Sequence, residues 1–145
     1  MTRRPMVLLV LALAGSACQG GEDPGRREVL ASVRGDPHRG AAAIARYGCG
    51  SCHVIPGVRQ ARGTVGPPLT DFVHRTYIAG NVYNTAANLA HWIRRPDSVE
   101  PGTVMPTLGV GEQEAHDIAA YLLLETSTGS FGPPRLLSPS LLQGD

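Results

Sequence analysis

Apolar residues recur at helical spacing in three stretches of this chain, and between them the pattern breaks into glycine and proline. The first stretch begins at Asp36-Pro37, an N-cap residue followed by proline at the first helical position. It carries Ile44 and Tyr47 among small residues and stops at Gly48. The second covers 86–95, capped by Thr85 and ended by Pro96, with Leu89, Trp92 and Ile93 on one face. The third covers 112–125, acidic in its first turn, with Ala115, Ile118, Ala119 and Leu122 along one side. Residues 54–69 are rich in Gly and Pro and read as a loop wrapped around something rather than as a helix or strand. Residues 70–74 allow one short helical turn, and 101–106 form a second loop stiffened by Pro101 and Pro106. The pattern predicts an all-α domain over 36–125, with three to five helices and long loops.

The ends read differently. Residues 1–17 combine a Thr2-Arg3-Arg4 start, an apolar run from 6 to 14, and the small residues Gly15-Ser16-Ala17 before Cys18. That is a secretory signal segment, too short to span a bilayer. Residues 18–35 are Gly-, Glu- and Arg-rich with Val29, Leu30 and Val33 as apolar exceptions, and they read as a flexible tether. Residues 126–145 are Ser-, Pro- and Gly-rich and are expected to lack a fold of their own.

Composition sharpens the picture. Aromatics make up 5% of the 145 residues, so the side chains alone form a modest core. Small domains are marginal unless a disulfide, metal or cofactor adds buried area. The chain has no lysine, and from Cys18 onward eleven arginines face twelve acids, a net charge of −1. No basic stripe marks a nucleic-acid surface, so that class of partner is excluded.

The chemistry concentrates in Cys49-Gly50-Ser51-Cys52-His53. Two thiols at this spacing can add across the two vinyl groups of one haem, and the imidazole that follows can reach its iron; Cys-x-x-Cys-His is the c-type haem attachment motif. A redox disulfide would need a βαβ setting, and no strand is expected upstream of Cys49. A structural zinc would need four N or S ligands, and neither a second Cys pair nor a closely spaced His pair exists. A haem in an electron carrier needs a second axial ligand. Met105 is the only methionine left once the signal segment is removed, and it sits in a proline-fixed loop. His74, His91 and His116 compete for the role, but His91 and His116 each fall off the apolar face of their helix. The ring of His53 should donate its other N–H to a fixed acceptor.

At this point residues 36–125 resemble the class I c-type cytochromes, single-haem His/Met electron carriers, through four features in order. After the haem motif, Gly66-Pro67-Pro68-Leu69 is similar to the family's Gly-Pro-x-Leu. The resemblance implies that the Pro67 carbonyl accepts from the proximal His53. Arg75, eight residues past Pro67, stands where the family keeps an Arg beside the haem propionates. Leu89-x-x-Trp92-Ile93-x-x-Pro96 leads to Pro101-Gly102-Thr103-x-Met105, similar to the family's helix and Met-bearing loop. Trp92 departs from the Tyr often found there, so an indole N–H replaces a hydroxyl. The segment 119–122 resembles the C-terminal helix that packs across the N-terminal one. The implied fold is a small cytochrome c fold wrapped around one covalent haem c. His53 and Met105 would be iron ligands; Cys49, Cys52, Pro67, Arg75, Trp92 and Thr103 would contact the cofactor.

The residues running into Cys18 resemble the lipobox of bacterial lipoproteins, with Gly15 where that family usually has an aliphatic residue. The resemblance implies a lipidated Cys18; cleavage nearer Ala14 would instead leave a free thiol. Together these readings give an exported, membrane-anchored, non-enzymatic electron shuttle. Its expected partners are redox proteins: a bc1-type complex or periplasmic dehydrogenase as donor and a terminal oxidase as acceptor. The alternatives are a haem-based peroxidase or gas sensor, and a haem subunit of a larger oxidase or dehydrogenase complex. Arg59, Arg62, Arg94 and Arg95 would form a positive docking rim if they converge.

Overall fold

The computed structural model describes residues 24–126. The signal segment, Cys18 and the tail from 127 onward lie outside the described residues. Five helices carry the fold: α1 (Pro24–Ala31), α2 (Pro37–Arg46), α3 (Ala86–Arg94), α4 (Pro96–Val99) and α5 (Glu112–Leu124). Single 3-10 turns at Cys49–Ser51 and Phe72–His74 interrupt the long connection between α2 and α3. A two-residue hairpin, β1 (Tyr77–Ile78) with β2 (Val82–Tyr83), completes it. This is the all-α arrangement of helices and long loops that the sequence pattern predicts.

Local chemistry explains why the main helices start and stop. The Asp36 carboxylate accepts from the backbone N–H groups of His38 and Arg39, at 2.8 and 3.2 Å, satisfying donors that α2 cannot use internally. Thr85 does the same for α3 by accepting from the Asn88 N–H at 3.1 Å. Pro96, expected to end α3, does so and also opens the one-turn α4. At α5 the Glu114 carboxylate reaches back to the Gly111 N–H at 3.3 Å.

The core is the crossing of α2 over α5, with α3 packed on α5. Ala43 and Ile44 of α2 meet a face of α5 carrying Ala115, Ile118, Ala119 and Leu122, all buried. The two backbones approach closely because Gly40 has no side chain: a Cβ there would lie 2.1 Å from the Asp117 carbonyl oxygen. Beside this contact Asp117, 3% exposed, is surrounded by donors. The Arg39 guanidinium grips it bidentately at 2.8 and 3.0 Å, the Asp36 N–H donates at 2.8 Å, and the Gln113 amide donates at 3.0 Å. The Arg39 contact, helped by the Asp36 and Gln113 donors, lowers the Asp117 carboxyl to about 2.

Two expectations are corrected, and one element is new. Residues 24–31 form α1 rather than a tether, with Val29, Leu30 and Val33 half-buried against the core. Composition hid this because Val29 and Leu30 of α1, with Val33 just past its end, are enough to attach the segment to the core. Thr126, assigned to the tail, is buried: its hydroxyl donates to the Leu122 carbonyl and accepts from the Phe72 N–H at 3.3 Å. The hairpin was not expected at all. Two-residue strands carry almost no alternation; Ile78 is buried in the core, and Tyr77 stacks on Tyr83 across the pair, ring centroids 5.1 Å apart.

Asp117→Asn should lower stability by on the order of 2 kcal/mol, the scale for hydrogen bonds to a charged group. The native Asp117 pKa lies below its unfolded value, so its contribution is complete above the unfolded pKa near 3.8 and is lost as pH falls toward 2. Thermal melting of wild type and variant should therefore converge across that acid window. A constant difference down to the lowest pH would show that the carboxylate charge is not what stabilises the crossing.

Candidate functional site

Between α2, α3, α5 and the loops lies a cavity of about 460 Å³. Its wall is mostly apolar, with Ile44, Ile55, Leu69, Phe72, Ile78, Leu89, Ile93 and Leu122 contributing. All eight residues that the sequence assigns to a cofactor within the folded domain line this one cavity: Cys49, Cys52, His53, Pro67, Arg75, Trp92, Thr103 and Met105. His74, His91 and His116 are not on its wall. His91 is exposed and its Nε2 lies 3.1 Å from the Ser98 hydroxyl.

The His53 ring is fixed on two sides. Its Nδ1 lies 2.8 Å from the Pro67 carbonyl oxygen. A carbonyl can only accept, so Nδ1 carries the proton and Nε2 keeps its lone pair free for a metal. One face of the ring lies against Gly66, where an added Cβ would fall 2.2 Å from Cε1 and 2.6 Å from Nδ1. The loop reaches this position by hydrogen-bonding back onto the haem motif: Gly66 N–H to the Cys52 carbonyl at 2.8 Å, and Gly63 N–H to the Gly50 carbonyl at 3.0 Å. Gly50 and Gly63 are needed there too, because a Cβ on either would meet backbone within 2.8 Å.

The remaining groups are held less symmetrically. Cys49 and Cys52 are free thiols, half-buried, and burial pushes the Cys49 thiol up. The Arg75 guanidinium stacks over the Phe72 ring at 4.7 Å and donates to the Pro68 carbonyl. Burial lowers its pKa without removing its charge. Among the described residues it meets no carboxylate, which leaves donors free for an anion on the cavity side. Asn84 sets the backbone around it, donating to the Phe72 and Arg75 carbonyls at 2.8 and 3.1 Å. Met105 is half-buried, and its N–H donates to the Thr103 hydroxyl at 3.3 Å. Thr103 therefore spends an acceptor site on the loop and keeps its O–H to donate.

The four arginines proposed for a rim do not line the cavity. Arg94 pairs with Glu112 at 3.6 Å and Arg95 with Asp97 at 3.7 Å, while Arg59 and Arg62 are exposed on the loop after the motif. Two residues given no site role from the sequence, Tyr47 and Glu100, also line the site. Tyr47 donates to the Glu114 carboxylate at 2.6 Å, which holds that carboxyl below its ordinary range. Glu100 places a carboxylate on the wall. Gly66 was noticed only as part of a motif; its role appears once the ring above it is seen.

An apolar slot, an imidazole with its Nε2 free, two thiols, a thioether and an uncompensated guanidinium together fit a haem with its two propionates. The cytochrome c family model matches residues 38–124, and the chain belongs to that family. Haem c, with iron, is the cofactor that membership implies, and haem-based electron transfer is its chemistry. Among curated proteins, the chain is similar to cytochrome c oxidase subunit 2 of Alkalihalophilus pseudofirmus, 35% identical over 86 residues. It is equally similar to cytochrome c oxidase subunit 2 of Bacillus sp. (strain PS3), 35% identical over 85 residues. These alignments cover 59% and 56% of this chain but 24% of each relative, so the chain spans about a quarter of their length. No solved structure matches it.

Gly66→Ala should displace the His53 ring or the 63–69 loop. The expected result is a loss of about 1–3 kcal/mol, the scale for overpacking, together with a weakened low-spin haem spectrum. Unchanged melting and an unchanged spectrum would mean that the ring does not rest on residue 66.

Proposed function

We propose that this chain is a single-haem electron carrier, not an enzyme, with its haem attached through Cys49 and Cys52 and its iron held by His53 and Met105. The observation that carries this reading is the fixed His53 tautomer, Nδ1 tied to Pro67, in a cavity that also has Met105 on its wall. The haem supplies a reversible one-electron couple at iron. His53 would present a fixed nitrogen donor, and Met105 a thioether, which would raise the potential relative to a second imidazole. The apolar wall excludes water and lowers the local dielectric, which tunes the potential further. Arg75 would offset propionate charge, with Trp92 and Thr103 as additional donors. With the iron held by both His53 and Met105, the site would do electron transfer; the peroxidase and gas-sensor alternatives require an open iron.

The protein is proposed to work outside the cytoplasmic membrane, held there by a lipidated Cys18. Its donor would be a bc1-type complex or a periplasmic dehydrogenase, and its acceptor a terminal oxidase. Both relatives are named cytochrome c oxidase subunit 2, and this favours one specific second reading: a haem unit operating within an oxidase complex. Purification from membranes separates the two. A free shuttle leaves the oxidase on mild detergent extraction, whereas a subunit stays with it.

Met105→Ala should lower the reduction potential and open the iron to carbon monoxide, while His74→Ala, His91→Ala and His116→Ala should do neither. A sulfur-to-iron charge-transfer band in the oxidised wild type, lost in Met105→Ala, checks the assignment. Ready carbon monoxide binding by the wild type would turn the reading toward gas binding.

Intact mass of the membrane-extracted protein should show Cys18 as the first residue, carrying acyl chains. An unmodified Cys18, or a protein released by salt alone, would remove the anchor from the proposal.

A further inference from the structure

The Met105 loop is the least anchored part of the site. Residues 100–111 contain neither helix nor strand, and Val104 is 82% exposed. Apolar burial holds its far end through Val110, and Thr107 donates to the Asp97 carboxylate at 3.3 Å. Its near end is tied differently. Asn81, in the turn of the β1–β2 hairpin, donates its side-chain amide to the Glu100 carboxylate and lies 3.4 Å from the Val99 carbonyl. From Glu100 the bonding continues along the loop. The Thr103 N–H donates to the Glu100 carbonyl at 3.1 Å, and the Met105 N–H donates to the Thr103 hydroxyl. The turn that presents Asn81 holds two successive residues at positive φ, Ala79 at 51° and Gly80 at 78°, as a tight hairpin turn requires, and the Asn81 N–H closes it by donating to the Ile78 carbonyl at 3.1 Å. Ala79 and Glu100 both lie on the cavity wall.

We infer that Asn81 is a positioning residue for the axial sulfur: it latches the hairpin turn to Glu100 and so fixes the loop that carries Met105. This rests on the proposed Met105 ligation. A loop with few buried contacts opens locally at low free-energy cost, so a single charge-assisted hydrogen bond at its base sets much of its residence in the closed position. The hairpin is thereby part of the site, although its strands contribute no ligand.

Asn81→Leu removes the donor and leaves the helical core untouched. In the reduced holoprotein, hydrogen-exchange NMR should show the Thr103 and Met105 amides exchanging about tenfold faster than in wild type, the effect of losing one such bond. Amides of α5 should be unchanged. Carbon monoxide should bind severalfold faster, and the sulfur-to-iron band should weaken in the oxidised form. Glu100→Ala should produce the same changes, and the double variant should be no worse than either alone, because both remove one interaction. Wild-type exchange and carbon monoxide kinetics in Asn81→Leu, or faster exchange with an unaltered band, would overturn the latch. Additive effects in the double variant would overturn it as well. Met105→Ala run alongside separates the failures. If that variant keeps the band, the axial reading fails and the inference falls with it; if it loses the band while Asn81→Leu behaves as wild type, only the latch fails.

Discussion

Everything in the site depends on one contact, the His53 imidazole held between the Gly66 backbone and the Pro67 carbonyl. An imidazole that can rotate or change tautomer is a poor fixed ligand. Tying Nδ1–H to a carbonyl settles both at once. The carbonyl must come from a residue without its own competing conformations, and proline, with φ locked, provides that. Its neighbour must have no Cβ, because the ring occupies that space. The Gly-Pro pair is thus a single device with two physical requirements, and the hydrogen bonds from Gly63 and Gly66 back to the Cys-x-x-Cys-His turn place it.

A ligand loop of this kind needs a rigid wall behind it, and the α2–α5 crossing supplies one. Gly40 lets the helices touch, and the Asp117 network keeps a buried carboxylate ionised where its four hydrogen bonds can offset desolvation. The same helix reaches the motif loop from its other end. The Tyr121 hydroxyl donates to the Pro56 carbonyl at 2.6 Å, with Gly57 beside it at a φ of +74°. Burial pushes the Tyr121 phenol up, so it remains a donor through the neutral range. Helix α5 therefore supports the motif side of the cavity directly, and it carries Leu122 into the wall.

The two sides of the cavity differ in how firmly they are built. The His53 side is bonded to the backbone at several points and laced with glycines that admit no substitution. The Met105 side is a proline-flanked loop with few buried residues and a small number of polar ties. Under the proposed ligation by His53 and Met105, one ligand would be held by the backbone and the other by the stability of its loop, and the loop's tethers would belong to the site as much as the sulfur does.

The three main helices could be read from the chain because their determinants are local. Asp36-Pro37, Thr85 and Pro96 mark ends through contacts within a few residues, and the apolar stripes follow the helix period. Ordered motifs likewise brought His53, Pro67, Arg75, Trp92 and Met105 onto one list, and the tertiary structure places all of them around one cavity. What the sequence left unread involves partners far apart along the chain. Arg39 meets Asp117 across 78 positions, Tyr47 meets Glu114 across 67, and Asn81 meets Glu100 across 19. None of these pairs has a periodicity or spacing that would announce it. The role of Gly66 was invisible for the same reason: a missing Cβ carries meaning only when the ring that fills its place is known. Helix α1 and the Tyr77–Tyr83 hairpin were decided by the surfaces they cover rather than by their own composition. Local rules thus determined the three main helices and which residues hold chemistry. Only the tertiary structure decided which backbone atoms orient them, because such contacts depend on three-dimensional proximity and leave no local trace.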